Sequence, residues 1–229
     1  MHKEHHVNSS ETIRDIVIGM SDGLTVPFAL AAGLSGAVNA SGIVVTAGLA
    51  EIVAGSIAMG LGGFLAGRTD EDHYNSELKR EYEEVERVPQ QEKQEVMEVF
   101  ADFGLSLQLQ QEIADELEKD KDKWVDFMMK YELGLDKPDP NRATRSAVTI
   151  GISYIIGGII PLSPYFFIHD TQQALLFSCG ITLLALFIFG YFKSKLTGQS
   201  PVSGGIKVVV IGALAAGAAF ILARLINSH

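Results

Sequence analysis

Four glutamates stand in two pairs, Glu81 with Glu84 and Glu92 with Glu95, on either side of Pro89. Residues three apart on a helix share a face, and the proline gives the chain a place to fold one helix against the next. Four carboxylates facing one another repel unless cations lie between them, which is the logic of dimetal sites in helix bundles. Oxygen donors of this kind suit hard or borderline divalent ions. Met128 and Glu132, four apart further along, could add a thioether and a carboxylate, which would tilt the preference from Mg2+ or Ca2+ toward iron or a neighbouring transition metal. Two plainer readings stand beside this one. An isolated ExxE pair is more often solvated surface, and Met128 also falls on an apolar stripe with Trp124, Phe127, Tyr131 and Leu135. A ferritin-like oxidase would need Glu-x-x-His pairs on facing helices. Asp70 with His73 is the nearest approach, so reversible binding is favoured over storage or oxidation. His2, His5 and His6 could bind metal, but a polar tail is the default reading.

The elements that must position these groups follow from an uneven distribution of charge and apolar residues. Between Thr69 and Arg142 lie 22 of the 28 acidic residues against 10 basic ones, a net of −12, while the rest of the chain is close to neutral. So anionic a surface repels nucleic acid and attracts cations. Outside it, five segments approach the roughly 20 apolar residues needed to cross a bilayer: Ile13 to Val38, Ile43 to Gly67, Ala147 to Ile168, Ala174 to Phe192, and Ile206 to Ile226. The first carries Asp15 and Asp22 and the second Glu51. Ionisable groups at such depth are costly and mark ion paths.

Basic residues beside the spans, among them Arg14, Arg68, Arg142, Arg145, Lys193, Lys195 and Lys207, fall on one side, which the positive-inside rule makes cytoplasmic. The N-terminus and the acidic insert are therefore expected in the cytoplasm and the C-terminus outside. The polar stretch His2 to Ser10 is not expected to be a cleavable signal. Cys179, the single cysteine, sits in an apolar run and reads as a small packed hydrophobe. Small residues four apart, Gly19 with Gly23, Gly63 with Gly67 and Ala215 with Ala219, allow close helix packing or a dimer seam. Pro27 would free the carbonyl of Gly23 beside Asp22.

Within the insert, the second span is expected to continue as a helix through Arg87. Further helices run from Gln90 to Phe103, Ser106 to Lys119 and Lys123 to Leu133, and a proline-containing linker spans Asp136 to Asn141. The expected fold is an all-α integral membrane protein with five transmembrane helices and an acidic helical cytoplasmic domain between spans 2 and 3. Its divisions are residues 1–67, 68–142 and 143–229. No strand pattern, nucleotide-binding glycine loop or enzyme motif is present, and no prosthetic group is expected.

Arg14 to Gly36, RDIVIGMSDGLTVPFALAAGLSG, together with AEIVAGSIAMGLGGFLA, DFMMKYELGL and KPDP, resembles the vacuolar iron transporter family, which includes plant and yeast vacuolar importers and nodulin-21-like proteins. The resemblance covers nearly the whole chain. It implies a homodimer that exchanges cytoplasmic Fe2+ for protons. Its intramembrane metal site maps onto Asp22 and Met59, with Glu11 and Asp15 at the cytoplasmic mouth. Its cytoplasmic site maps onto Glu51 with Glu81, Glu84, Glu92, Glu95, Met128 and Glu132. The expected partners are a divalent metal, protons, membrane lipid and a second copy of the chain. Mn2+, Zn2+ and Co2+ remain alternatives to Fe2+, and a membrane-anchored metal-binding or ferroxidase module is the rival of another class. Short loops fit a prokaryotic plasma membrane, whereas the resemblance allows a vacuole or other endomembrane.

Overall fold

The computed structural model describes the backbone of residues 7–227 and the side chains of residues 11–227; His2, His5 and His6 lie outside the described residues. All regular elements among them are helical: α1 (Val7–Ala37), α2 (Ser41–Arg87), α3 (Pro89–Asp102), α4 (Leu107–Leu117), α5 (Lys121–Phe127) running into a π-helical turn (Met128–Glu132), α6 (Arg142–Leu162) with a 3-10 extension (Ser163–Phe166), α7 (Thr171–Leu196) and α8 (Pro201–Asn227). The chain forms two compact units, one of residues up to Phe64 together with those from Thr144 onward, the other Leu65–Ala143. Helix α2, 47 residues long, contributes to both. Its length of about 70 Å exceeds the roughly 30 Å of bilayer hydrocarbon.

Five helices are long and apolar enough to cross a membrane: Glu11–Ala37 of α1, α2, α6 with its extension to Phe166, α7 and α8. Their outward side chains are apolar, with Leu176 73% and Ile57 65% exposed. Lipid tails are as apolar as leucine, so association of such helices depends on close packing and hydrogen bonds. The small residues of α1 supply the first. A Cβ on Gly23 would fall 2.3 Å from the Tyr154 carbonyl oxygen, and one on Gly19 equally close to that of Ile150. Gly19 and Gly23 therefore bring α1 into backbone contact with α6 of the same chain. Buried hydroxyls supply the second. Ser178 Oγ donates to the Pro161 carbonyl at 2.7 Å, and Ser35 Oγ and Tyr165 Oη lie 2.9 Å apart.

The second unit is a small helical assembly around Val96, Val125, Met128 and Met129, each at most 1% exposed, with Trp124 at 3%. Its corners follow from local chemistry. Pro89, which lacks an amide hydrogen, opens α3 two residues after α2 ends. Ser106 and Asp120 cap α4 and α5 by accepting from the Leu109 and Lys123 amides. Gly104 and Gly134 take φ of 77° and 66°, a left-handed turn that glycine enters without steric cost. Lys93 Nζ bridges α3 to the α4 end through Asp115 (2.6 Å) and Glu118 (2.9 Å). The π turn, marked by the Leu133 amide donating to the Met128 carbonyl at 3.1 Å, differs from the regular helix expected over Lys123 to Leu133. Both Met128 and Met129 of this turn are buried in the core.

Candidate metal centre

Helices α2 and α3 meet across the Val88 turn, and the facing turns of each carry the ExxE pairs. Glu81, Glu84 and Glu92 each place a carboxylate oxygen within 4.8 Å of the other two. Glu81 and Glu92 are both only 2% exposed, and in each the Oε2 atom is buried with no hydrogen-bond partner. A buried ionised oxygen left unpaired is costly. Glu81 and Glu92 each carry one such oxygen within this carboxylate cluster.

The electrostatics agree. Burial, then the neighbouring carboxylates of Glu95, Glu81, Glu84 and Glu132, push the Glu92 carboxyl up to about 7. Glu132 is exposed, yet desolvation beside the other carboxylates, followed by Glu95 and Glu81, pushes it up to about 7 as well. Glu81 is raised by burial and by Glu84, with Arg80 pulling the other way. Glu132 on the π turn and Glu95 on α3 thus share one field with the other three. Met128 is fully buried in the apolar core, where its packing alone accounts for its position.

Arg80 is the cation the cluster does contain. Its Nη2 lies 2.7 Å from Glu77 and 3.6 Å from Glu81, and its Nε 3.3 Å from Glu84. The spacing carries a signal for this, since Arg80 follows Glu77 by three and precedes Glu84 by four.

The remaining expected site residues belong to the first unit. Glu51 is half-buried on α2; its Oε1 accepts from the Tyr154 hydroxyl at 2.5 Å, and its Oε2 is buried without a partner. Asp22 is half-buried on α1. Tyr154 is itself 2% exposed, its ring resting where a Cβ on Gly55 would fall 2.4 Å from the hydroxyl. Met59, two turns beyond Glu51 on α2, is half-buried. Asp15 is 2% exposed, and Glu11 lies 3.9 Å from Arg145. Glu51 also opens on a groove of about 550 Å3 between α1 and α8 that is otherwise almost wholly apolar, with Val26, Leu30 and Leu222 in its walls.

Glu51 precedes Glu81 on α2 and belongs to the first compact unit. Its partner in the fold is Tyr154, 103 residues away in sequence, a pairing that no local pattern announces.

The comparisons with known proteins bear on all of this. Residues 13–224 match the model of the VIT family. The chain is 52% identical over 227 residues to vacuolar iron transporter 1 of Tulipa gesneriana, covering 99% of this chain and 92% of that protein. It is equally similar, 52% over 226 residues, to vacuolar iron transporter 1 of Arabidopsis thaliana, covering 99% and 90%. Protein CCC1 of Saccharomyces cerevisiae is 41% identical over 225 residues, covering 94% of this chain and 69% of the yeast protein. With a family match across nearly its full length and relatives above half identity over nine-tenths of theirs, this chain belongs to the VIT family.

Proposed function

We propose that this protein is a multi-pass membrane transporter that moves ferrous iron out of the cytoplasm in exchange for protons. The observation that carries the reading is the cluster of Glu81, Glu84 and Glu92, whose two buried, unpartnered oxygens call for a divalent cation. The names of the relatives, vacuolar iron transporters, support iron as the cargo. The Leu65–Ala143 unit is cytoplasmic, and Glu81, Glu84, Glu92, Glu95 and Glu132 gather the ion.

Translocation belongs to the first unit. Asp22, Glu51 and Met59 offer two carboxylates and a soft sulfur to a partly dehydrated ion, with Glu11 and Asp15 as acidic steps at the mouth. A second copy of the chain, seated over the groove into which Glu51 opens, would double these ligands and shield the carboxylate from lipid. Return of the empty carrier with a proton on Asp22 couples the cycle to a proton gradient, because a partly buried carboxylate takes up a proton readily. Mn2+ is the second reading, favoured by the predominance of carboxylate donors, which do not separate manganese from iron. No chemical reaction is assigned to the protein.

Two variants divide the roles. Replacing Glu81, Glu84, Glu92 and Glu95 together by Gln removes high-affinity Fe2+ or Mn2+ binding by calorimetry, whereas Asp22→Asn leaves that binding intact and stops uptake into proteoliposomes. Undiminished binding in the fourfold variant would defeat the collector role.

A further inference from the structure

A cavity of about 320 Å3 lies in the first unit between the end of α7 and the start of α8. Lys193, Thr197, Ser203 and Lys207 line it, and its apolar edge is made by residues such as Ile211, which is 62% exposed. The helices touch at its base, where a Cβ on Gly204 would fall 1.7 Å from Ser194 Oγ. The last carbonyls of α7 are capped from within the chain. The Thr197, Gly198 and Gln199 amides donate to the carbonyls of Lys193, Lys195 and Ser194, and Thr197 Oγ1 donates to those of Lys193 and Ser194 at 3.1 and 3.2 Å. No carboxylate lines the cavity. On its far side α8 begins with Pro201, so the Val202 and Ser203 amides lack helical acceptors and carry the positive end of a 27-residue helix.

We propose that this cavity is a binding site for the phosphate of an anionic phospholipid. In a chain of net charge −10, two exposed lysines and the hydroxyls of Thr197 and Ser203 line one pocket beside the first turn of α8. Lysines and hydroxyls are the donors that phosphate oxygens take. The apolar edge continues along α8 in the direction the acyl chains would run, which commits the site to a lipid rather than a soluble phosphate. Basic pockets between spans on the cytoplasmic side hold anionic headgroups in this manner, and the lysine bias of these loops puts the cavity on that side. Lys195 stands on the same helix end without lining the cavity, which separates a built site from the general attraction of a basic loop.

The test is native mass spectrometry of the purified full-length protein after exposure to phosphatidylglycerol or phosphatidylcholine, with Trp124 emission and monodispersity as checks of folding. Phosphatidylglycerol adducts survive on the parent protein and phosphatidylcholine adducts do not. The Lys193→Gln/Lys207→Gln variant loses retention about tenfold or more, Lys195→Gln keeps it, and millimolar inorganic phosphate does not displace the lipid. Should the double variant not give monodisperse protein, Ser203→Leu, which fills the cavity without changing charge, produces the same loss. Equal loss in Lys195→Gln, equal retention of phosphatidylcholine, or displacement by inorganic phosphate would each overturn the proposal.

Discussion

Replacing Glu92 by Gln should stabilise the metal-free protein while disabling its metal site. Glu92 is 2% exposed and its carboxyl is pushed up to about 7 from an ordinary value of 4.5. A glutamate that binds its proton more tightly in the folded than in the unfolded state makes folding less favourable as pH rises between those two values. The loss amounts to about 3 kcal/mol by pH 7.5. Below pH 4.5 it vanishes, because the carboxyl is protonated in both states. The near-isosteric amide cannot ionise, and its NH2 group has neighbouring carboxylates as acceptors, so it escapes most of this cost. Trp124, the only tryptophan, sits 3% exposed in the core beside Met128, and its fluorescence reports urea unfolding of this unit within the intact protein. In chelator at pH 7.5 the Glu92→Gln variant should outlast the parent by about 1–3 kcal/mol, and the gap should close toward pH 4.5. Saturating Mn2+ should stabilise the parent strongly and the variant little. A variant less stable than the parent at pH 7.5 without metal, or a gap that ignores pH, would refute the electrostatic reasoning.

Arg80→Gln should raise Mn2+ affinity about fivefold by calorimetry, since the guanidinium competes with the ion for Glu81 and Glu84 from a half-exposed position where such pairs are modest. It should also lower metal-free stability at neutral pH. Tyr154→Phe leaves the Glu51 carboxylate without its donor. It should cost about 1–3 kcal/mol of stability and slow uptake, with metal binding by the Glu-rich cluster unchanged. Gly23→Val drives a side chain into the Tyr154 carbonyl and should abolish monodisperse protein in size-exclusion chromatography, whereas Gly62→Ala, with nothing within 4 Å, should behave as the parent.

Much of this architecture is legible in the sequence because bilayer and water leave different marks on it. The five apolar runs match the five long helices within a few residues at most ends, and Pro89, Gly104 and Gly134 mark turns where they stand. The ExxE pairs announce their own convergence, since helical spacing and one proline fix which faces meet. Three features escape such a reading. The π turn at Met128–Glu132 has no local sequence signal, since consecutive buried residues such as Trp124 and Val125 also occur in the regular helix before it. Arg80 is hidden by searching for ligands rather than for the cations that neighbour them. Glu51 hides its partner, because helical periodicity reports which face a residue occupies and says nothing of what packs against a 47-residue helix. Its bond to Tyr154 exists only once α2 and α6 pack.

The proposed proton-coupled path of the metal past Asp22 is tested by Fe2+ uptake into acid-loaded proteoliposomes under anaerobic conditions, with the parent protein and Asp22→Asn side by side. Uptake by the parent should collapse with the pH gradient, and Asp22→Asn should show none above protein-free vesicles. Uptake at the parent rate by Asp22→Asn, or parent uptake unchanged after the gradient is dissipated, would contradict it.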